Sequence, residues 1–156
     1  MNTDQVRGDG RFNGKHGEIT DLVLRVFYEV YNELGSGFLE SVYHAAFALA
    51  LKQVGLQVIS QVAVPVYFRG VVVGDFRADL VINGAVFLEL KALQSLERVH
   101  EAQVIHYLRA TPLEVGLLFN FGPKPQFKRF LLDNQQKQIR VHPCESVVMP
   151  LEVPEQ

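Results

Sequence analysis

The stretch 71-VVVGDFRADLVINGAVFLELK-91 decides the fold of this chain. It contains two runs rich in Val, Leu and Ile, separated by Asn83-Gly84, the strongest short signal for a tight β-hairpin. We therefore predict one strand over 71–82 and a second, antiparallel strand over 85–91. The preceding run, 56–68, is also rich in Val and Ile and reaches a second turn at Arg69-Gly70. Three consecutive strands thus form an antiparallel meander.

Asp79, Glu89 and Lys91 lie inside these apolar runs. Asp79 precedes the Asn83-Gly84 turn by about as many residues as Glu89 follows it, so the two carboxylates are expected nearly opposite each other. Glu89 and Lys91 are two positions apart on one strand and point to the same face, ~6.6 Å apart. Two carboxylates and a lysine are therefore predicted to converge on one surface of the sheet.

This trio suits the hydrolysis of phosphodiester bonds. Magnesium prefers a few carboxylate oxygens together with water and substrate phosphate, and it lowers the pKa of a bound water. A nearby lysine can orient that water or stabilise developing charge. The alternative is a simple cross-strand ion pair. The apolar neighbours of Asp79 and Glu89 favour a site, because charges in such surroundings need partners and a metal is one.

Two helices are predicted before the meander. The first carries an apolar stripe at spacings of three and four and ends at Gly35-Ser36-Gly37; the stripe is Ile19, Leu22, Val23, Val26, Phe27 and Val30. The second runs from about 38 to 53, with Leu39, Val42, Ala46 and Leu49 as its expected inner stripe. Glu40, Tyr43 and His44 share another, polar face, which meets either solvent or a site.

A third helix is predicted over 96–109, with Val99, Ala102, Ile105 and Leu108 as its apolar positions and His100, Gln103 and Tyr107 opposite them. The apolar run 115–119 is typical of a strand buried on both faces, and 127–132 is a candidate edge strand. We predict an α/β fold with a central mixed sheet, the three-stranded antiparallel meander plus the later strand, flanked by helices.

Composition fits one domain. The chain has 156 residues, and we expect a domain over 15–143, a flexible N-terminal tail over 1–14 and a C-terminal tail over 144–156. A single cysteine, Cys144, excludes an internal disulfide and a cysteine-rich metal site. It also fits a reducing compartment, so we expect a cytoplasmic protein. No apolar run reaches the ~18 residues of a membrane span.

The charge distribution is mildly asymmetric. Residues 91–130 carry six Lys/Arg against three acids, a charge of +3, within a total of −2, so the rest of the chain carries −5. A phosphate-binding face and an ordinary mixed-charge surface explain this equally well.

These residues, taken together, resemble the PD-(D/E)XK nuclease superfamily. Asp79 and then Glu89-Leu90-Lys91 follow a helix that bears Glu40. The later segment from Gln103 to Tyr107 matches the Q-x-x-x-Y motif of RecB-like members, and Gly37 to Tyr43 matches G-x-x-E-x-x-Y, which names a family of small bacterial proteins. The resemblance covers about 16–132. Ala78 departs from it, since it precedes Asp79 where the superfamily's name has proline.

The resemblance implies a restriction-endonuclease-like fold and a nuclease that uses Mg²⁺, or Mn²⁺ in its place, on DNA or RNA. Asp79, Glu89, Glu40 and the main-chain carbonyl of Leu90 would form the metal shell, and Lys91 would position the attacking water. The expected substrate-binding residues are Gln103, Tyr107, Tyr43 and Arg77.

Two further functions stay open: a catalytically silent nucleic-acid-binding or accessory module with the same fold, and a hydrolase of small molecules. The sequence also leaves a homodimer open.

Overall fold

The computed structural model describes residue 12 and residues 14–137. The predicted C-terminal tail, with Cys144, and nearly all of the predicted N-terminal tail lie outside the described residues. The chain forms three helices and five strands of six residues or more within the described range: α1 (Gly17–Leu34), α2 (Glu40–Gln53), β1 (Val58–Phe68), β2 (Val71–Ile82), β3 (Val86–Lys91), α3 (Arg98–Ala110), β4 (Val115–Phe121) and β5 (Pro125–Leu131).

The strands form one mixed sheet in the order β1-β2-β3-β4-β5. β3 and β4 are parallel and the other neighbours are antiparallel, because α3 carries the chain over the sheet between β3 and β4. Both predicted hairpin turns have positive φ at their two central residues, 52° and 79° at Arg69-Gly70 and 52° and 64° at Asn83-Gly84, as type I′ turns require. The predicted α/β fold class is confirmed.

Helices cover both faces of the sheet. α1 and α2 pack on one face, in a core that includes Phe27, Phe47, Leu88 and Phe119. On the other face, α3 packs its buried residues against β3 and β4. β4 is buried along its whole length, as predicted. None of the described helices is long and apolar enough to cross a membrane.

The orientation of α2 differs from the prediction. The helix begins at Glu40 rather than 38, and its buried residues are Tyr43, Phe47, Ala48 and Leu51. Two members of the predicted inner stripe, Leu39 and Leu49, are 77% and 58% exposed. α2 is apolar on most of its circumference, and the larger aromatic rings take the inner positions because they bury more area than the aliphatic alternatives.

α3 is also rotated from the predicted orientation. Tyr107, which was expected on the polar face, is buried, and its ring centroid lies 4.2 Å from that of Phe87. Val99, expected inside, is exposed. The helix begins at Arg98 after a capping box between Glu97 and His100, which places Val99 in its first turn.

A buried asparagine fixes the segment that follows Lys91. The Asn120 side chain accepts a hydrogen bond from Leu93 N (2.8 Å) and donates to Leu93 O (3.0 Å) and to Gln126 Oε1 (2.9 Å). These bonds explain why β4 continues to Phe121, two residues beyond the predicted apolar run 115–119. Gly122 then passes so close to Leu93 O that a Cβ would lie 2.1 Å from that oxygen.

Gly122→Ala is expected to lower the free energy of unfolding by about 1–3 kcal/mol, because the added methyl group meets a backbone oxygen that cannot move alone. Urea denaturation measures this change. The matched control is Gly74→Ala in β2, where a Cβ would meet nothing within 4 Å. The control should leave stability unchanged or raise it by up to about 1 kcal/mol. Equal stabilities of the two variants would contradict the close approach at Gly122.

Candidate active site

The site forms where β2 and β3 stop pairing. Their ladder consists of Leu80↔Leu88, Val81↔Phe87 and Ile82↔Val86. The next position in this register sets Asp79 opposite Glu89, so their side chains start from the same face of the sheet. β3 continues beyond that point, paired with β4 as far as Lys91↔Asn120. The predicted placement of the two acids follows directly from this register.

The Asp79 side chain spans the gap that opens between the two strands. Its Oδ2 accepts a hydrogen bond of 2.7 Å from the main-chain N of Leu90. A carboxylate thus takes the place of the strand carbonyl that would otherwise satisfy this buried amide. The bond fixes the Asp79 carboxylate against the Glu89-Leu90-Lys91 segment.

The other edge of β2 is interrupted at the same residue. The ladder with β1 includes Ser60↔Leu80 and Val62↔Ala78 but omits Gln61 and Asp79 between them. Gln61 has a φ of 54°, a left-handed conformation that a regular strand does not allow. Within the fully described span of β1 to β3, Asp79 therefore has no ladder partner on either side.

His44 of α2 supplies the missing partner. Its Nε2 lies 3.0 Å from the main-chain oxygen of Asp79, and it carries the proton because a carbonyl oxygen only accepts. The side-chain amide of Gln61 lies against the same ring nitrogen, at 3.3 Å. The helical spacing predicts that His44 lies beside Glu40, but no local pattern indicates this contact. For Gln61, the sequence signal is a polar pair, Ser60-Gln61, within a run of Val and Ile.

The acids influence one another strongly. Burial, and then the nearby Asp79 charge, raise the pKa of Glu89 to about 8, against the lowering effect of Lys91 and of a hydrogen bond from the Asp79 main chain. Partial desolvation and the Asp79 charge also raise the pKa of Glu40, while Lys91 and His44 lower it. The structure thus brings Glu40, Asp79, Glu89 and Lys91 within electrostatic range of one another.

The predicted Q-x-x-x-Y pair divides between core and surface. Tyr107 is buried, and burial followed by the Glu89 charge raises its pKa to about 12. Its phenol therefore stays protonated, within electrostatic range of Glu89. Gln103, one turn earlier, is exposed. Arg77 is also exposed, with Nη1 3.5 Å from the main-chain oxygen of Gln61.

Tyr43, one of the predicted substrate-binding residues, lies in the core behind the loop that precedes α2. It is fully buried, and its ring stacks on that of Phe121 with centroids 4.5 Å apart. Its hydroxyl donates to Gly35 O (2.5 Å) and accepts from Phe38 N (3.2 Å). Tyr43 therefore holds the loop before α2, and its role in substrate binding stays a prediction.

Comparison with known proteins gives the family. The sequence model of the PD-(D/E)XK nuclease superfamily matches residues 17–130. The chain belongs to this superfamily. A search of curated proteins gives no match. Among solved structures, one titled "Crystal structure of SSO0001" is similar, with 21% identity and a TM-score of 0.49 over 86% of this chain and 67% of that one. That distant likeness carries no functional argument.

PD-(D/E)XK nucleases typically use divalent metal ions. No group of three or more His, Cys, Asp or Glu side chains in the described part of the chain is arranged to hold one. Mg²⁺ does not require such a cage, since it keeps several waters and binds one or two carboxylates together with substrate phosphate. The hard oxygen donors of Asp79 and Glu89 suit that ion, and their mutual repulsion is what a cation would relieve.

The raised pKa of Glu89 predicts a pH dependence of stability in the absence of divalent metal. The folded protein binds the Glu89 proton more tightly than the unfolded chain, so stability falls as the pH rises from about 4.5 towards about 8. Urea denaturation in EDTA across this range measures the slope. Glu89→Gln, which cannot ionise, should flatten the profile, and the substitution should stabilise the protein most at the alkaline end. An unchanged slope would contradict the buried, crowded state of this carboxyl.

A second prediction concerns the hydrogen bond from His44 to Asp79. His44→Ala leaves the Asp79 carbonyl without this donor and should cost about 1 kcal/mol or more in unfolding free energy. His44→Gln places an amide N–H near the position of Nε2 and should recover most of the loss. Denaturation curves at neutral pH compare the two variants. Equal losses would show that the ring's packing matters and the hydrogen bond does not.

Proposed function

We propose that this protein is a Mg²⁺-dependent nuclease that hydrolyses phosphodiester bonds in DNA or RNA. The observation that carries the proposal is the end of strand pairing at Asp79, which sets this acid opposite Glu89 with Lys91 one step further along the same face. Membership of the PD-(D/E)XK nuclease superfamily supports a nucleic-acid substrate.

Asp79, Glu89 and the main-chain carbonyl of Leu90 would hold the metal, and Glu40 would support them through its charge. When bound, Mg²⁺ neutralises charge on the phosphate and lowers the pKa of a coordinated water. The hydrogen bond from Leu90 N keeps one Asp79 oxygen in place and leaves the other free to bind a cation. His44 fixes the backbone of the same residue from the opposite side.

Lys91 is the cationic member of the site. It is half-buried at the end of β3, and its charge lowers the pKa of both Glu89 and Glu40. In hydrolysis, the oxygen of a water bonds to phosphorus and gives up a proton to solvent, while the bond from phosphorus to the leaving oxygen breaks and the leaving oxygen takes up a proton from solvent. The Lys91 ammonium orients the water and stabilises the negative charge that develops on the phosphate.

The structural setting of Gly37 to Tyr43 supports membership in the G-x-x-E-x-x-Y group. Gly37 has a φ of 111°, which favours glycine. Glu40 interacts electrostatically with Asp79, and Tyr43 holds the loop by its hydroxyl. Each motif residue thus has a physical task near the proposed site. Tyr107, within electrostatic range of Glu89, supports the RecB-like character.

The central experiment is a cleavage assay over single- and double-stranded DNA and RNA, with Mg²⁺, Mn²⁺ or EDTA. Wild type should cleave at least one substrate in either metal and none in EDTA. Asp79→Ala and Lys91→Ala should each lower the rate by at least ~100-fold, because both remove charge that acts in the transition state. The matched controls are Asp75→Ala and Lys52→Ala, which change exposed residues outside the site and should retain full activity.

Three results would count against the proposal. Equal cleavage by wild type and Lys91→Ala would show that the activity arises elsewhere. Cleavage that persists in EDTA would remove the metal from the mechanism. Wild type that binds nucleic acid but cuts nothing would favour the silent accessory module.

A further inference from the structure

Two large apolar side chains are exposed beside the proposed site. Phe38 is 50% exposed and Leu39 is 77% exposed, and they directly precede Glu40 at the start of α2. Val42, in the first turn of the helix, is also exposed. We call Phe38 and Leu39 the apolar ledge. Single exposed apolar residues are common, but an aromatic and a leucine side by side next to a charged site suggest a ligand.

The ledge is held in a fixed conformation. Phe38 N donates to the Tyr43 hydroxyl (3.2 Å), and the Phe38 ring lies edge-on to the Tyr43 ring with centroids 6.0 Å apart. Tyr43 also bonds to Gly35, so both ends of the loop are attached to one buried residue. An aromatic ring that is fixed before binding loses little conformational entropy when a ligand stacks on it.

A continuous series of contacts connects the ledge to Lys91. Lys91 pairs with Asn120 across β3 and β4. The next residue of β4, Phe121, stacks on Tyr43, with ring planes 16° apart, and Tyr43 contacts Phe38. The ledge therefore lies at the same end of the sheet as the proposed catalytic lysine, and Glu40, which directly follows it, interacts electrostatically with Asp79 and Lys91.

The overall charge of the chain does not favour binding of a duplex backbone. The chain has a net charge of −2, and two of its lysines are in ion pairs, Lys15 with Glu114 and Asp133 and Lys128 with Glu101. Binding to duplexes depends on many Lys/Arg–phosphate contacts. Unpaired bases instead stack on aromatic side chains, whose faces accept every base. A paired base has both faces covered by its neighbours and cannot use the ledge.

We infer that the apolar ledge of Phe38 and Leu39 stacks an unpaired base beside the reacting phosphate, so that the substrate is single-stranded nucleic acid. This inference rests on the proposed nuclease function, which makes the neighbouring site the place where a phosphodiester reacts. It assigns Phe38 a task in substrate binding that neither the motif nor the family match gives it.

The test measures binding without cleavage. Fluorescence anisotropy in EDTA compares a labelled oligothymidylate of about 12 nucleotides, an abasic strand with the same number of phosphates, and a duplex of that length. Wild type should bind the oligothymidylate at least ~10-fold more tightly than either of the others. Phe38→Ala should weaken that binding by about 5- to 150-fold, the range for loss of one base–aromatic stack. Its affinity for the abasic strand should not change.

Two further variants separate stacking from general effects. Phe38→Leu retains an apolar side chain against Tyr43 and should keep wild-type stability while losing most of the preference for bases. Phe68→Ala removes an aromatic residue of similar exposure, 58%, at the tip of the β1–β2 hairpin. Phe68 lies seven residues along β1 from Gln61, or ~23 Å, so its removal should not change binding to any of the three probes.

The outcomes distinguish failure of the base-stacking proposal from failure of the proposed nuclease function. Base-dependent binding that Phe38→Ala abolishes supports the ledge even if the protein cleaves nothing. Equal binding of the three probes by wild type overturns the ledge, as does an unchanged preference in Phe38→Ala, even if cleavage is strong. Sedimentation velocity tests the alternative that a second copy of this chain covers the ledge. The proposal is overturned if the wild type is a dimer, Phe38→Ala dissociates that dimer, and oligonucleotide binding stays intact. The apolar ledge would then be an interface between two copies.

Discussion

The structure depends on how the backbone of Asp79 is satisfied where the ladder of β2 with β3 ends and its ladder with β1 is interrupted. A buried carbonyl without a donor, or a buried amide without an acceptor, costs on the order of 1–3 kcal/mol. The Asp79 carboxylate accepts from Leu90 N, and His44 donates to the Asp79 carbonyl. Side chains from two different elements thus replace the missing ladder bonds, and β2, β3 and α2 are joined at one residue. This connection gives the proposed site its shape, because the acids occupy the gap left by the departing strand.

The same gap makes the site electrostatically unfavourable without a cation. Glu89 lies where water is partly excluded and another carboxylate is close, and both effects raise its pKa. Lys91 offsets only part of this repulsion, since the raised pKa remains with the lysine in place. Stability given up at one position is a common property of functional sites. A network built only for stability would pair its acids with bases, as Lys15 pairs with Glu114 and Asp133 and Lys128 with Glu101 at the surface.

Much of the fold could be predicted because the information is local. Asn83-Gly84 fixes the turn and therefore the register that sets Asp79 opposite Glu89, and α1 has one unambiguous apolar stripe. The orientation of α2 could not be predicted in this way. Its sequence offers two apolar stripes, one through Val42 and Leu49 and one through Tyr43 and Phe47, and only packing against β4 decides between them. The contact between His44 and Asp79 depends on that orientation and on the conformation of Gln61, so no local pattern indicates it.

The burial of Tyr43 and the exposure of the apolar ledge have one cause. When Tyr43 and Phe47 turn inward to pack against Phe121 and Phe119, the residues just before α2 are carried to the outside of the loop, and Leu39 with them. Exposing these side chains has an unfavourable hydration free energy. The chain could reduce it by a polar substitution at Leu39, since this side chain fills no part of the core. An apolar pair kept beside Glu40, on a loop that a buried tyrosine holds at both ends, is therefore better explained by what it binds than by what it stabilises.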